Sequence, residues 1–183
     1  VKVMVADVPV TVLSLASCTV TWIAGERDAA AWALEGAAVA WIAVRQGRLL
    51  ARCFGYALQL AAGAAFLLDV ERSYGATPIA NAFYLGSALL AIAAFFCAAY
   101  IDRNRERLHP IEAKLSWVLL AWGALWWFGG GTGEILRQVD TAYRAQAVLV
   151  FFAASSIGFS LVSGWLRWPA AGWLRLAFYP VAL

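Results

Sequence analysis

The chain has 183 residues, of which 63% are apolar or aromatic and 14% charged, against about 25% charged in an ordinary soluble domain. That composition excludes a water-soluble globule, and a net charge of only +3, scattered along the chain, excludes a basic groove for a nucleic acid. One histidine and three cysteines, with no HExxH or CxxC spacing, point to neither a metal nor another cofactor. His109, beside Pro110, reads as a solvated loop residue, and Cys18, Cys53 and Cys97 as packing residues of apolar segments.

A helix crosses a bilayer with about 20 apolar residues, within a range of roughly 17 to 25. In chain order, residues 8–24 are the first candidate span, although they carry Thr11, Ser14, Ser17, Thr19 and Thr21. With Lys2 ahead of it this segment has the outline of a signal peptide, but no small-residue cleavage site precedes Glu26, and further spans follow. Residues 29–44 are a second candidate, short and interrupted by Glu35. Residues 51–68, 78–101, 115–130 and 145–165 are four clear spans with their charges almost entirely outside them. Pro78 suits a first helical position, where its missing N–H costs nothing, and Asp140 or Thr141 suits the cap of the helix entering near Ala145. Residues 173–183 read as a seventh helix cut short.

Only helices or closed barrels satisfy the backbone in lipid, and these runs are too long for barrel strands. The expected fold is therefore all-α: a polytopic transmembrane bundle of about six full spans plus a truncated seventh, occupying residues 1–183 as one domain. A start at Val1 and an end at Leu183 inside an apolar run suggest a section of a longer multi-span protein.

With this arrangement Lys2, then Arg45, Arg48 and Arg52, then Arg103, Arg105, Arg107 and Lys114, and finally Arg167 and Arg175 fall on one side. Only Arg27, Arg72, Arg137 and Arg144 fall on the other. The positive-inside rule makes the first side cytoplasmic. If residues 29–44 do not cross, Arg27 and Lys2 change places and the division is equally uneven. The rule thus orients every loop after Arg45 and leaves the second segment open.

Ionisable residues at membrane depth are expensive and are the first place to look for function. Glu35 lies about 10 Å along a helix from Asp28, in the outer half of the bilayer, with Trp32, Gly36 and Val39 on its face. It is either a proton or ligand site, or a neutral or arginine-paired carboxylate that holds two helices in register. Gly55, Gln59 and Gly63 recur every four residues, a smooth stripe for a close helix contact across which Gln59 can hydrogen-bond. Asn81 and Tyr84 fall at the outer surface.

Trp122, Trp126, Trp127 and Phe128 run into Gly129, Gly130, Gly131, Thr132, Gly133 and Glu134. Three glycines in a row are expected to end the helix, because each costs about 1 kcal/mol relative to alanine, and to leave N–H groups able to meet an anion. Glu134 and Arg137 would then share a short interfacial helix. Either these residues form an aromatic belt with a flexible turn, or they belong to an outward-facing polar pocket made with Glu35, Gln59 and Asn81. Ser155, Ser156, Ser160 and Ser163 have no histidine near them in sequence, so enzyme chemistry is not expected; such serines bond their own backbone or a neighbouring helix.

The strings AAWALEG (residues 30–36), RQGRLLARCFG (45–55), WWFGGGTGE (126–134) and VFFAAS (150–155) resemble the bacterial "domain of unknown function 2339" family of large polytopic membrane proteins. The resemblance runs through most of the chain and implies a section of a much larger inner-membrane protein with many spans. It brings no catalytic residues with it. The functional expectation is a structural or assembly unit of the bacterial envelope, partnered by lipid and by the rest of its parent polypeptide or other membrane helices. The competing expectation is a transporter or a lipid- or sugar-handling protein whose pocket lies around Glu35 and Glu134.

Overall fold

The computed structural model describes residues 29–68 and 77–178. Among them there is no strand, and five α-helices carry the fold: α1 (Ala29–Gln46), α2 (Leu49–Leu68), α3 (Ala82–Arg103), α4 (Pro110–Gln138) and α5 (Arg144–Trp165). Short 3₁₀ turns at Arg105–Arg107 and Thr141–Tyr143 join the later helices, and a longer 3₁₀ stretch, Pro169–Phe178, follows α5.

Alanine dominates α1, and its buried residues Ala33, Gly36, Ala37, Ala40, Ala43 and Val44 recur at helical spacing. The face they make is thin enough for α2 to lie almost backbone to backbone. A Cβ added at Gly55 would stand 2.8 Å from both the Ala40 nitrogen and the Gly36 carbonyl oxygen. Gly47, at φ +69, provides the left-handed residue that closes α1, as its N–H donates to the Val44 carbonyl and that of Arg48 to the Ala43 carbonyl. The chain then reverses at once into α2.

On α2 the buried residues Arg52, Gly55, Tyr56, Gln59, Ala62, Gly63 and Phe66 form one stripe. α3 occupies the centre, packed on α1 and α4 and more lightly on α2. Asn81 caps it, accepting from the Tyr84 N–H at 2.8 Å. Pro110 occupies the first turn of α4 behind His109, whose ring accepts from the Ile111 N–H while Glu112 accepts from the His109 N–H. His109 is therefore a cap, not a bare loop residue.

Several sequence expectations change. Three described helices are long and apolar enough to cross a membrane: α2, α3 and α5, the last counted with its leading 3₁₀ turn. The expected six spans and truncated seventh are not supported. α1 is short and carries Glu35 and Arg45. α4 is long, 29 residues or about 43 Å, but four charged residues, its glycines and its tryptophans lower its hydropathy. Residues 8–24 lie outside the described segments. The expected seventh helix is, over Trp173–Phe178, part of the 3₁₀ stretch, and residues 179–183 lie outside the described segments.

Helix α3 begins at Ala82 rather than at Pro78, because residues 77–81 form a bend in which Ile79 adopts φ 64. Most informative is α4, which runs unbroken through Gly129, Gly130, Gly131 and Gly133 to Gln138. The run does not end it because, at every glycine but Gly129, neighbours occupy the space a side chain would fill. Ser87 stands against Gly130, Phe151 against Gly131 and Phe83 against Gly133. Packing offsets the intrinsic cost of helical glycine.

Substituting Gly55 by valine forces the α1 and α2 backbones apart and is expected to lower stability by about 1–3 kcal/mol. Gly158→Ala on α5, where nothing lies within 4 Å, is expected to be neutral or mildly stabilising. Unfolding in a denaturing-detergent titration, followed by circular dichroism, compares the two.

Candidate functional site

Buried polar groups gather in three places along the bundle. At the end where α2 and α4 begin, the Arg52 guanidinium grips the Glu112 carboxylate in a two-pronged pair, Nε to Oε2 at 2.8 Å and Nη2 to Oε1 at 3.0 Å. Both side chains are less than a tenth exposed. The planar fork matches the carboxylate, which makes this geometry stronger than a point-charge contact.

At the opposite end of α4, about 33 Å away along the helix axis, buried Glu134 is held by the chain entering α3. Its Oε1 accepts from Asn81 Nδ2 at 2.7 Å and from the Ile79 N–H at 2.9 Å. Asn81 also donates to the Thr77 carbonyl. The left-handed conformation of Ile79 is costly for a β-branched residue, and Glu134 holds the N–H that this conformation presents. Arg137, one turn on, lays its guanidinium 4.6 Å from the centre of the Phe83 ring, a cation–π contact.

Between these ends lies Gln59, fully buried. Its Nε2 donates to the Ala33 carbonyl of α1 at 2.6 Å and reaches Cys97 Sγ of α3 at 3.8 Å, so one amide on α2 joins three helices. Its Oε1 is buried with no partner.

Of the candidate residues read from the sequence, Asn81 and Glu134 are brought into direct contact. Trp126 and Trp127 turn to different neighbours. Trp126 is buried edge-on against Phe66 of α2 and Trp122, whereas Trp127 donates from Nε1 to Ser155 Oγ of α5 at 3.0 Å. Thr132 is half-buried on α4, and Glu35 is half-buried on α1 without an ion-pair partner among the described residues. Arg144 donates to the Val139 carbonyl. Gln59 is spent on Ala33 and Cys97. Among the described residues no group of three metal-ligating side chains occurs.

Sequence reasoning missed the strongest feature, the Arg52–Glu112 pair. Arg52 enters the charge count as one more cytoplasmic cation, and Glu112 attracts no notice. The available signal was local: an acid three residues after a capping position and two after a proline marks a helix start, and thereby a carboxylate at the mouth of the bundle.

The serines of α5 behave as membrane serines do. Ser155 meets Trp127, Ser160 bonds the Ser156 carbonyl of its own helix, and Ser156 and Ser163 donate to carbonyls of the segment beyond α5. No protein-family model, curated protein or solved structure matches this chain.

Replacing Glu134 by leucine leaves the Ile79 N–H without its acceptor and Asn81 Nδ2 with the Thr77 carbonyl alone. This is expected to cost about 1–3 kcal/mol, while Glu134→Gln, which retains a carbonyl oxygen, is expected to cost less. Equilibrium unfolding of the two variants in mixed micelles tests the ranking.

Proposed function

We propose that this chain is a structural section of a multi-pass protein of the bacterial inner membrane, a helical bundle whose polar residues hold its helices in register for assembly with the rest of its parent polypeptide. The observation that carries the reading is how the buried ionisable groups are used. Arg52 and Glu112 are spent on each other across α2 and α4, and Glu134 on the entry to α3. A transport or catalytic site keeps such groups available to water and substrate, whereas a lock consumes their hydrogen-bonding capacity internally. The resemblance of the AAWALEG and RQGR strings to the domain of unknown function 2339 family is part of this proposal and suits a section of a larger envelope protein.

A second reading, a lipid- or sugar-handling protein with an outward pocket at Glu35 and Glu134, draws on the half-exposed Glu35. The two readings separate in cells. Arg52→Met leaves Glu112 buried without its counter-charge, which is expected to cost about 3–5 kcal/mol, while Arg52→Met combined with Glu112→Met is expected to recover most of that loss. If the bundle is an assembly unit, envelope integrity in complemented cells follows membrane protein level: lowered by the single variant, restored by the double, unchanged by Glu35→Gln. A Glu35→Gln protein present at full level with envelope integrity lost would favour the pocket.

A further inference from the structure

The segment after α5 does not run away from the bundle. Arg167, at φ 49, reverses the chain, and two serines of α5 pin it back. Ser163 Oγ donates to the Trp168 carbonyl at 3.0 Å and Ser156 Oγ to the Arg175 carbonyl at 2.9 Å. Those serines lie about two turns apart, so the Pro169–Phe178 stretch re-enters along α5. The backbone of Arg175 then stands about 13 Å inside the helix end at Trp165.

Between α5 and this re-entrant stretch is a cavity of about 340 Å³ lined by Ser163, Pro169, Gly172, Trp173, Arg175 and Leu176. Arg175 has no ion-pair partner among the described residues. Arg175, exposed on the 3₁₀ stretch, is carried to that depth beside a membrane-crossing helix, where a cation demands an anion or a path to the interface. Trp173 and Leu176, respectively 62% and 41% exposed, add an apolar rim beside the cation.

We propose that this cavity binds the phosphate group of an anionic phospholipid from the leaflet at the Trp165 end of α5, the end at which Arg103 of α3 also donates to the Leu166 carbonyl. The Arg175 guanidinium takes the phosphate oxygens, a geometry to which its planar fork is suited. Trp173 and Leu176 lie against the first methylenes of the acyl chains. Free phosphate shares the anionic chemistry but gains nothing from the apolar rim, which favours the lipid. The inference rests on the membrane reading of α5 and not on the locking role of Arg52 and Glu112.

The test is native mass spectrometry of the full chain in mild detergent, titrated separately with phosphatidylglycerol, phosphatidylcholine and inorganic phosphate. One phosphatidylglycerol per chain is expected, bound more tightly than either alternative. Arg175→Gln is expected to weaken it about tenfold, the loss of a charge-assisted hydrogen bond. Gly172→Val, whose side chain projects toward Ser163 Oγ, 3.2 Å from an added Cβ, is expected to weaken it as well. Arg175→Lys, which keeps the charge, retains part of the affinity, and Arg107→Gln, an exposed cation outside the cavity, is expected to change nothing. Circular dichroism confirms that each variant compared is folded.

Wild-type affinity in folded Arg175→Gln overturns the proposal, as does inorganic phosphate or phosphatidylcholine binding as tightly as phosphatidylglycerol. A weakening by Arg107→Gln equal to that by Arg175→Gln also overturns it, since that result marks diffuse charge attraction. The Arg52→Met, Glu112→Met chain leaves this cavity untouched, so failure of the lock and failure of the lipid site are separate results.

Discussion

Two helices in lipid gain little from hiding apolar surface from each other, because the surrounding chains are as apolar as they are. Their association rests instead on how closely the backbones approach and on the polar groups they exchange. The contact between α1 and α2 follows this constraint directly. Gly36 and Gly55 each lie where an added Cβ would come within 2.8 Å of the other's carbonyl oxygen, and Ala33, Ala37 and Ala40 keep the rest of the face low. That approach brings the Ala33 carbonyl within reach of Gln59. Close packing thus positions the internal hydrogen bond, and a wider crossing would leave the amide without that partner.

The polar groups are arranged from the same constraint. Gln59 and Glu134 are placed where helices pack closely, the Arg52–Glu112 pair reaches between helices whose backbones lie further apart, and each acts across elements. Gln59 joins α2 to α1 and α3 near the middle, Arg52 joins α2 to α4 at one end, and Glu134 ties α4 to the bend before α3 at the other. A buried ion pair need not add much net stability, since desolvation opposes the attraction. It does penalise any arrangement that separates the partners. Between α2 and α4, which are not consecutive in the chain, such a pair selects one register out of the several that plain apolar surfaces would allow.

Much of this architecture was legible in the sequence, and the limits are physical. Unbroken apolar runs predict α2 and α5 to within a residue or two, because their period and length depend on local chemistry alone. Of the Gly55, Gln59 and Gly63 stripe, Gly55 and Gln59 make the expected close helix contact with an amide across it, whereas Gly63 gives room to the Trp122 and Trp126 rings. The start of α3 was missed because Pro78 permits a helical start but does not require one, and the neighbouring Ile79 is held in a left-handed conformation through a hydrogen bond to Glu134, 55 positions away in sequence. The Arg52–Glu112 pair was invisible for the same reason: each partner has an ordinary local explanation, and only the tertiary arrangement joins them.

The glycine run of α4 shows how a strong local signal can be right about cost and wrong about outcome. Successive helical residues point about 100° apart, since 3.6 residues complete a turn, so neighbouring glycines serve different partners. Gly123 and Gly130 face α3, against Phe95 and Ser87, while Gly131 admits Phe151 of α5. The aromatic residues before the run complete the division. Trp126 packs toward α2 against Phe66, and Phe128 stacks on Phe152 of α5 with ring centres 4.6 Å apart. α4 therefore joins two kinds of contact. Toward α3 the small residues draw the helices close, and toward α5 an aromatic ladder spaces them, which leaves Ser155 as the only buried residue of that helix. Glycines that would end an isolated helix keep this one whole, because Gly130, Gly131 and Gly133 each remove a side chain where a different neighbour needs the space.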